Sequence, residues 1–131
     1  MMTDPISDML SRIRNASMVH GHEVIIPLSK MKYGIAKILE QEGFVGRVEQ
    51  YQEGDRPMMR IHLKYDEKRA SIIRGIKRVS KPSRRVYVKS DEIYQVCYGM
   101  GRAILSTPNG LMTNVDAKKQ RLGGEIICEV F

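Results

Sequence analysis

The chain has 131 residues, 42% of them hydrophobic, and carries 22 Lys/Arg against 15 Asp/Glu for a formal net charge of +7. That length holds one ordinary domain or two small lobes that share an interface, because lobes of about 60 residues are marginal alone. No run of about 18 apolar residues occurs to make a spanning helix, no cleavable apolar leader opens the chain, and a soluble cytoplasmic protein is expected.

Asp4-Pro5 pairs a helix N-cap residue with proline at the first helical position. Ile6, Met9, Leu10 and Ile13 follow at helical spacing, with Arg12 and Arg14 on the two flanks, Asn15 on the far side, and Gly21 as the stop. His20 and His22 read as a polar loop. Glu23–Leu28 reads as a short strand closed by Pro27. Ser29 then caps a second helix that places Met31, Ile35, Ile38 and Leu39 on its buried side and ends at Gly43. Phe44–Gln52 and Met58–Tyr65 alternate as two strands, the second with Met59, Ile61, Leu63 and Tyr65 on one face. Between them Glu53–Pro57 makes a hairpin loop. Asp66–Ala70 is polar and patternless, the expected linker, giving lobes 1–65 and 66–131. The second lobe reads as short strands with one helix near Thr113–Arg121, opened by Thr113 as cap with Asp116 in its first turn. The last strand alternates Ile126, Cys128 and Val130 against Ile127, Glu129 and Phe131. The fold class is α+β, with a helix-strand-helix-hairpin lobe followed by a β-rich one.

Charge is unevenly spread. Residues 1–65 hold nine Lys/Arg and eight Asp/Glu, while residues 66–131 hold thirteen and seven. Lys68 to Lys89 contains nine basic residues and no acidic one. Such a run repels itself unless an anion meets it. Within it, Lys81, Arg84, Arg85 and Tyr87 suit phosphates and exposed sugars or bases. At the second helix, Lys30 and Lys32 stand in the first turn, where the helix dipole disfavours cations by about 0.3–1 kcal/mol each. A phosphate at Ser29 reverses that penalty.

The two cysteines, Cys97 and Cys128, lack metal-ligand spacing and read as buried free thiols. No nucleophile elbow, P-loop, dinucleotide fingerprint or zinc-protease motif occurs, and an enzyme is not expected. A triad on Ser106 would need the distant His62. A DNA-reading module would need a free recognition helix, whereas residues 29–43 look engaged in core packing. No cofactor is expected. By itself Ser106-Thr107-Pro108-Asn109-Gly110 reads as a β-turn.

Three ordered blocks carry a family resemblance. Asp4-Pro5-Ile6-x-Asp8-Met9-Leu10 with Arg12-Ile13-Arg14-Asn15, then Arg78-Val79-Ser80-Lys81-Pro82-Ser83, then Ser106–Gly110 with Leu111-Met112-Thr113 and Gly123-Gly124-Glu125, together resemble the bacterial small-subunit ribosomal protein eight family. The resemblance implies two lobes and an RNA-binding protein of the small ribosomal subunit. It implies direct binding to the central domain of 16S rRNA during assembly and neighbouring ribosomal proteins as partners. In some members it also implies repression through an mRNA site on the protein's own operon. It places Asp4, Arg12, Arg14, Asn15, Lys30, Lys32, Lys81, Arg84, Arg85, Tyr87, Ser106, Thr107, Asn109, Gly110, Gly124 and Glu125 against RNA. Gly124 would permit close approach there. Glu125 has two readings, an orienting or RNA-facing acceptor, or a partner for a cation inside the lobe. Two positions depart from the family pattern: Ser83 stands for a turn glycine, and Pro108 for a serine of the loop. A basic nucleic-acid binder without specific rRNA readout is the alternative.

Overall fold

The computed structural model describes residues 3–131 and divides them into two compact units, Asp8–Arg74, and residues 3–7 together with Gly75–Phe131. The architecture is α+β, with one antiparallel sheet in each unit.

Helix α1 (Pro5–Met18) begins at the expected cap, where the Asp4 carboxylate accepts the Ser7 N–H at 3.2 Å and the Ser7 hydroxyl at 2.8 Å. Its apolar stripe, Met9, Leu10 and Ile13, is buried. Strand β1 (Glu23–Pro27) follows, then α2 (Lys30–Gln41), capped by the Ser29 hydroxyl, which accepts the Lys32 N–H at 3.2 Å. Ile35, Ala36, Ile38 and Leu39 are buried as a stripe, but Met31 is 40% exposed. It lies a full turn ahead of Ile35, at the helix end that projects into solvent with Lys30.

Strands β2 (Val48–Glu53) and β3 (Arg56–His62) form a hairpin whose turn is only Gly54-Asp55, with Glu53 paired to Arg56. Gly54 at φ +65° allows so tight a turn, so Arg56 and Pro57 belong to the strand and not to the loop. The first strand is correspondingly shorter than expected, since Phe44–Arg47 precede it. The sheet order is β1-β3-β2. Proline is tolerated in the central strand because β1 ends opposite Met58, and the Pro57 carbonyl still accepts the Leu28 N–H at 3.0 Å. Leu63 and Tyr65 lie beyond β3; Tyr65 instead forms a bridge with Ser71. Asp66–Ala70 is a closed turn, its Asp66 carboxylate accepting the Lys68 and Ala70 N–H groups at 2.8 and 2.9 Å. The Tyr65–Ser71 bridge and the Ile72 N–H, which donates to the Lys64 carbonyl at 3.1 Å, tie the segment after this turn back to the first unit, which runs to Arg74.

The second unit holds β4 (Ile76–Arg78), β5 (Tyr87–Val88), β6 (Arg102–Thr107), β7 (Gly110–Thr113), α3 (Asn114–Gln120) and β8 (Gly124–Val130). All five strands are antiparallel, in the order β4-β8-β6-β7, with β5 also on β8. Both β4 and β5 thus lie along the same edge of β8, one after the other. The register slips between Ile104 and Leu105, which face Cys128 and Ile126, and leaves Ile127 as an extra, bulged residue. The bulge explains why Ile127 is as buried as its neighbours, against the simple alternation expected. One face of this sheet packs Leu105, Met112 and Ile126 against Ala117 of α3, with Ile93, Val96 and Ala103. Helix α3 is capped by Thr113, whose hydroxyl accepts the Asp116 N–H at 3.2 Å. Buried Asn114 ties it down further, accepting the Ala103 N–H at 3.1 Å and donating to the Tyr94 carbonyl at 2.9 Å.

Cys128 is buried, and burial pushes its thiol pKa up to about 12. Cys97 is exposed, against expectation. Cys97, Tyr98 and Gly99 take φ values of +48°, +55° and +90°, which turn that stretch of chain outward. Among the described residues no helix is long and apolar enough to cross a membrane.

Candidate nucleic-acid interface

Two short turns project from one end of the second unit. The first arises where the chain leaves and rejoins the edge of β8. Val79 and Ser80 N–H groups donate to Ile127 and Ile126 carbonyls, the chain swings out through Lys81–Arg85, and the Val86 carbonyl takes up pairing with Ile126. Lys81 and Arg84 close the excursion through two reciprocal 2.9 Å backbone bonds around Pro82-Ser83. Pro82 supplies the preset φ of the first central position. Ser83 needs no positive φ, so its replacement of glycine leaves the turn intact.

The base of this excursion is a buried polar staple. The Ser80 hydroxyl, fully buried, donates to Glu125 Oε2 at 2.5 Å and accepts the Val86 N–H at 3.2 Å. Arg85 Nη1 donates to the same carboxylate oxygen at 3.0 Å. Glu125 is therefore engaged inside the unit and orients Arg85, while Lys81 and Arg84 remain exposed at the tip. Ser80 matters here as a positioning residue, a role that its place in the Arg78–Ser83 block did not reveal.

The second turn joins β6 to β7, with Thr107 paired to Gly110 around Pro108-Asn109. Pro108 again takes the first central position, where no ladder N–H is needed, and Gly110 at φ +102° lets the chain re-enter the sheet. The Thr107 hydroxyl donates to the Gly110 carbonyl at 2.8 Å and accepts the Asn109 N–H at 3.2 Å, so it shapes the turn first. The half-buried Ser106 hydroxyl has no hydrogen-bond partner among the described residues.

Strand β8 brings these parts together. Tyr87 and Ser106 both pair with Glu125, one on each side, so the three side chains share a sheet face. Tyr87 is 67% exposed on that face. Gly124, one residue earlier, permits a close approach from within the sheet. A Cβ there would collide with the Ser106 carbonyl, so the glycine admits strand β6. Gly123 likewise leaves room for the Val88 carbonyl, which a Cβ would approach to 2.5 Å.

Asp4 is also internal. Its side chain is 19% exposed, and its carboxylate accepts Arg78 Nε at 3.0 Å besides the Ser7 groups. Burial raises its pKa, but the hydrogen bonds from Ser7 and Arg78 outweigh that and hold it below the usual carboxylate value. Arg78, whose side chain is 7% exposed, also donates to the Ile127 carbonyl at 2.7 Å and so anchors β4 at the bulge. In the first unit, Arg12 pairs with Asp8 at 3.0 Å along α1, Arg14 and Asn15 are exposed, and Lys30 and Lys32 flank the Ser29 cap. His62 Nε2 lies 2.6 Å from Glu49 Oε1.

Cations on one turn, hydroxyls and bare backbone on the other, and a tyrosine ring beside them define a basic α+β protein with a rigid polar display on its β-rich unit. The chain belongs to the ribosomal protein S8 family, whose profile matches residues 4–131. It is 52% identical over 130 residues to a protein of Caldanaerobacter subterraneus subsp. tengcongensis and to one of Clostridium novyi. Identity to a protein of Syntrophomonas wolfei is 48% over 130 residues. In each case 99% of this chain and 98% of the relative are covered, and each relative is named small ribosomal subunit protein uS8. The family is one of structural proteins and not of enzymes.

Proposed function

We propose that this chain is a cytoplasmic constituent of the small ribosomal subunit that binds the central domain of 16S rRNA directly and directs its assembly beside neighbouring ribosomal proteins. An mRNA site that mimics the rRNA shape would make it a translational repressor as well. The observation that carries the reading is the row Tyr87–Glu125–Ser106, which sets an exposed ring and a free hydroxyl on one sheet face between a cationic and a neutral turn. The names of the relatives support the ribosomal assignment.

In this reading the β-rich unit is the RNA-binding lobe. Lys81, Arg84 and Arg85 hold phosphates, which positions the protein without reading sequence. Ser106, Asn109, the Gly110 backbone and Tyr87 read the shape and 2′-hydroxyls of the wide RNA minor groove. Thr107, Gly124 and Glu125 support that surface from within. Arg12, Arg14, Asn15, Lys30 and Lys32 add phosphate contacts from the first unit.

The test is a titration against a central-domain rRNA stem and a scrambled hairpin of equal length, at several salt concentrations. A preference for the stem that survives moderate salt supports the reading. Equal binding to both, erased by salt, reduces the protein to a nonspecific basic surface.

A further inference from the structure

A pocket of about 490 Å³ lies in the first unit, lined by His20, His22, Tyr65 and Arg69. His20 and Tyr65 are stacked, with ring centroids 5.5 Å apart and planes inclined by 23°. The Tyr65 hydroxyl donates to the Gly21 carbonyl at 2.6 Å, which locks the lower ring to the loop that carries the upper one. Five described non-glycine residues have positive φ, and two of them, His20 at +57° and Arg69 at +64°, line this pocket. Left-handed backbone costs energy for such side chains, so the surrounding structure holds both positions in place. Of the carboxylates on the flanking segments, Glu23 pairs with Arg60 at 3.2 Å and Asp66 with its own turn and Arg74, while Glu67 is exposed two residues before Arg69. The four lining residues thus combine a phenol ring stacked on one imidazole, a second imidazole and a guanidinium, and none of them is acidic.

We propose that this pocket receives one unstacked nucleotide of a single-stranded RNA segment, its base against the His20–Tyr65 stack and its phosphate toward Arg69 and His22. Aromatic and imidazole faces accept any base, and a guanidinium holds the adjoining phosphate. The inference rests on the RNA-binding reading above but places a contact in a different unit.

The experiment follows the His20 and His22 ring resonances of the full chain by NMR during titration with hexaadenylate RNA. His20→Asn removes the ring yet suits left-handed backbone, His20→Tyr keeps a stacking face, and Arg69→Gly removes the charge without strain. Hexaadenylate is expected to shift both imidazoles saturably. His20→Asn should weaken binding about fivefold or more, His20→Tyr should restore most of it, and Arg69→Gly should reduce the salt slope by about one. Unmoved His20 resonances, or His20→Asn binding like the wild type, would overturn the pocket as an RNA site. AMP or inorganic phosphate producing the same shifts at equal concentration would also overturn it, in favour of a free nucleotide or anion site. If the rRNA stem still binds in those cases, only this inference fails; if no RNA binds at all, the parent reading fails with it.

Discussion

The turns Lys81–Arg84 and Thr107–Gly110 share a backbone plan and differ in everything else. Each has proline at the first central position, and each flanks the start of β8. The first is anchored by charge and hydrogen bonds, through Ser80, Glu125, Arg78 and Asp4, and so displays cations at its tip. The second is anchored by close backbone approach at Gly124 and closes its own hydroxyl inward at Thr107. On the proposed reading the first turn would hold an anion anywhere along its charge. The other has fixed groups and no charge, which suits it to discriminate by shape.

The comparison breaks most completely at Gly124. Gly124→Ala should destabilise the second unit by about 1–3 kcal/mol or more, because the new methyl meets backbone that cannot rotate away. Thermal melting checks this; an unchanged midpoint would return the glycine to an external role. The cationic side should fail differently, by titration. Asp4 has a lowered folded-state pKa, so its contribution is present above the unfolded value near 3.8 and is lost as pH falls through the folded one. Asp4→Asn keeps a helix cap but leaves the poorly exposed Arg78 without its counter-charge, a loss of about 1–3 kcal/mol at neutral pH. Melts from pH 6 downward should show mutant and wild type converging in acid. A constant gap would mean that the Arg78 charge is balanced by another group.

Within the neutral turn, Ser106→Ala should lower rRNA-stem affinity about fivefold with an unchanged melt, a hydrogen bond being worth about 1 kcal/mol. Thr107→Ala should instead lower the melting midpoint, since its hydroxyl ties the turn. The double variant should lose affinity and keep its salt slope, while a variant that unfolds would make the whole loop structural. The smallest effect belongs to the cationic tip. Arg84→Ala with Arg85→Ala should flatten the salt slope by about one unit per lost phosphate contact, and an unchanged slope would place both side chains away from phosphate.

Local chemistry explains why much of this was legible in the chain alone. Asp4-Pro5, Ser29 and Thr113 cap helices wherever they occur before an apolar stripe, and Gly43 stops one, so three helices could be placed from their ends. The proline turns were legible for the same reason. The excess of positive charge was legible too, because charge is additive and needs no fold to be counted.

Contacts between distant residues were not legible. Gly124 reads as a place of close approach, but that strand β6 makes one there needed the fold. Glu125 had two chemically equal readings until Ser80 and Arg85, both far away in the chain, converged on one of its oxygens. Asp4 reads as a cap and, by resemblance, as RNA-facing, and its bond to Arg78 was not legible; the His20–Tyr65 stack likewise joins residues 45 positions apart. The amino-acid sequence by itself determined the helices with their caps, the tight turns and the sign of the net charge, all set by composition or by interactions within a few residues. Only the tertiary structure decided which polar groups face inward and which remain free to bind, because hydrogen-bond capacity is divided among neighbours that the fold alone brings together.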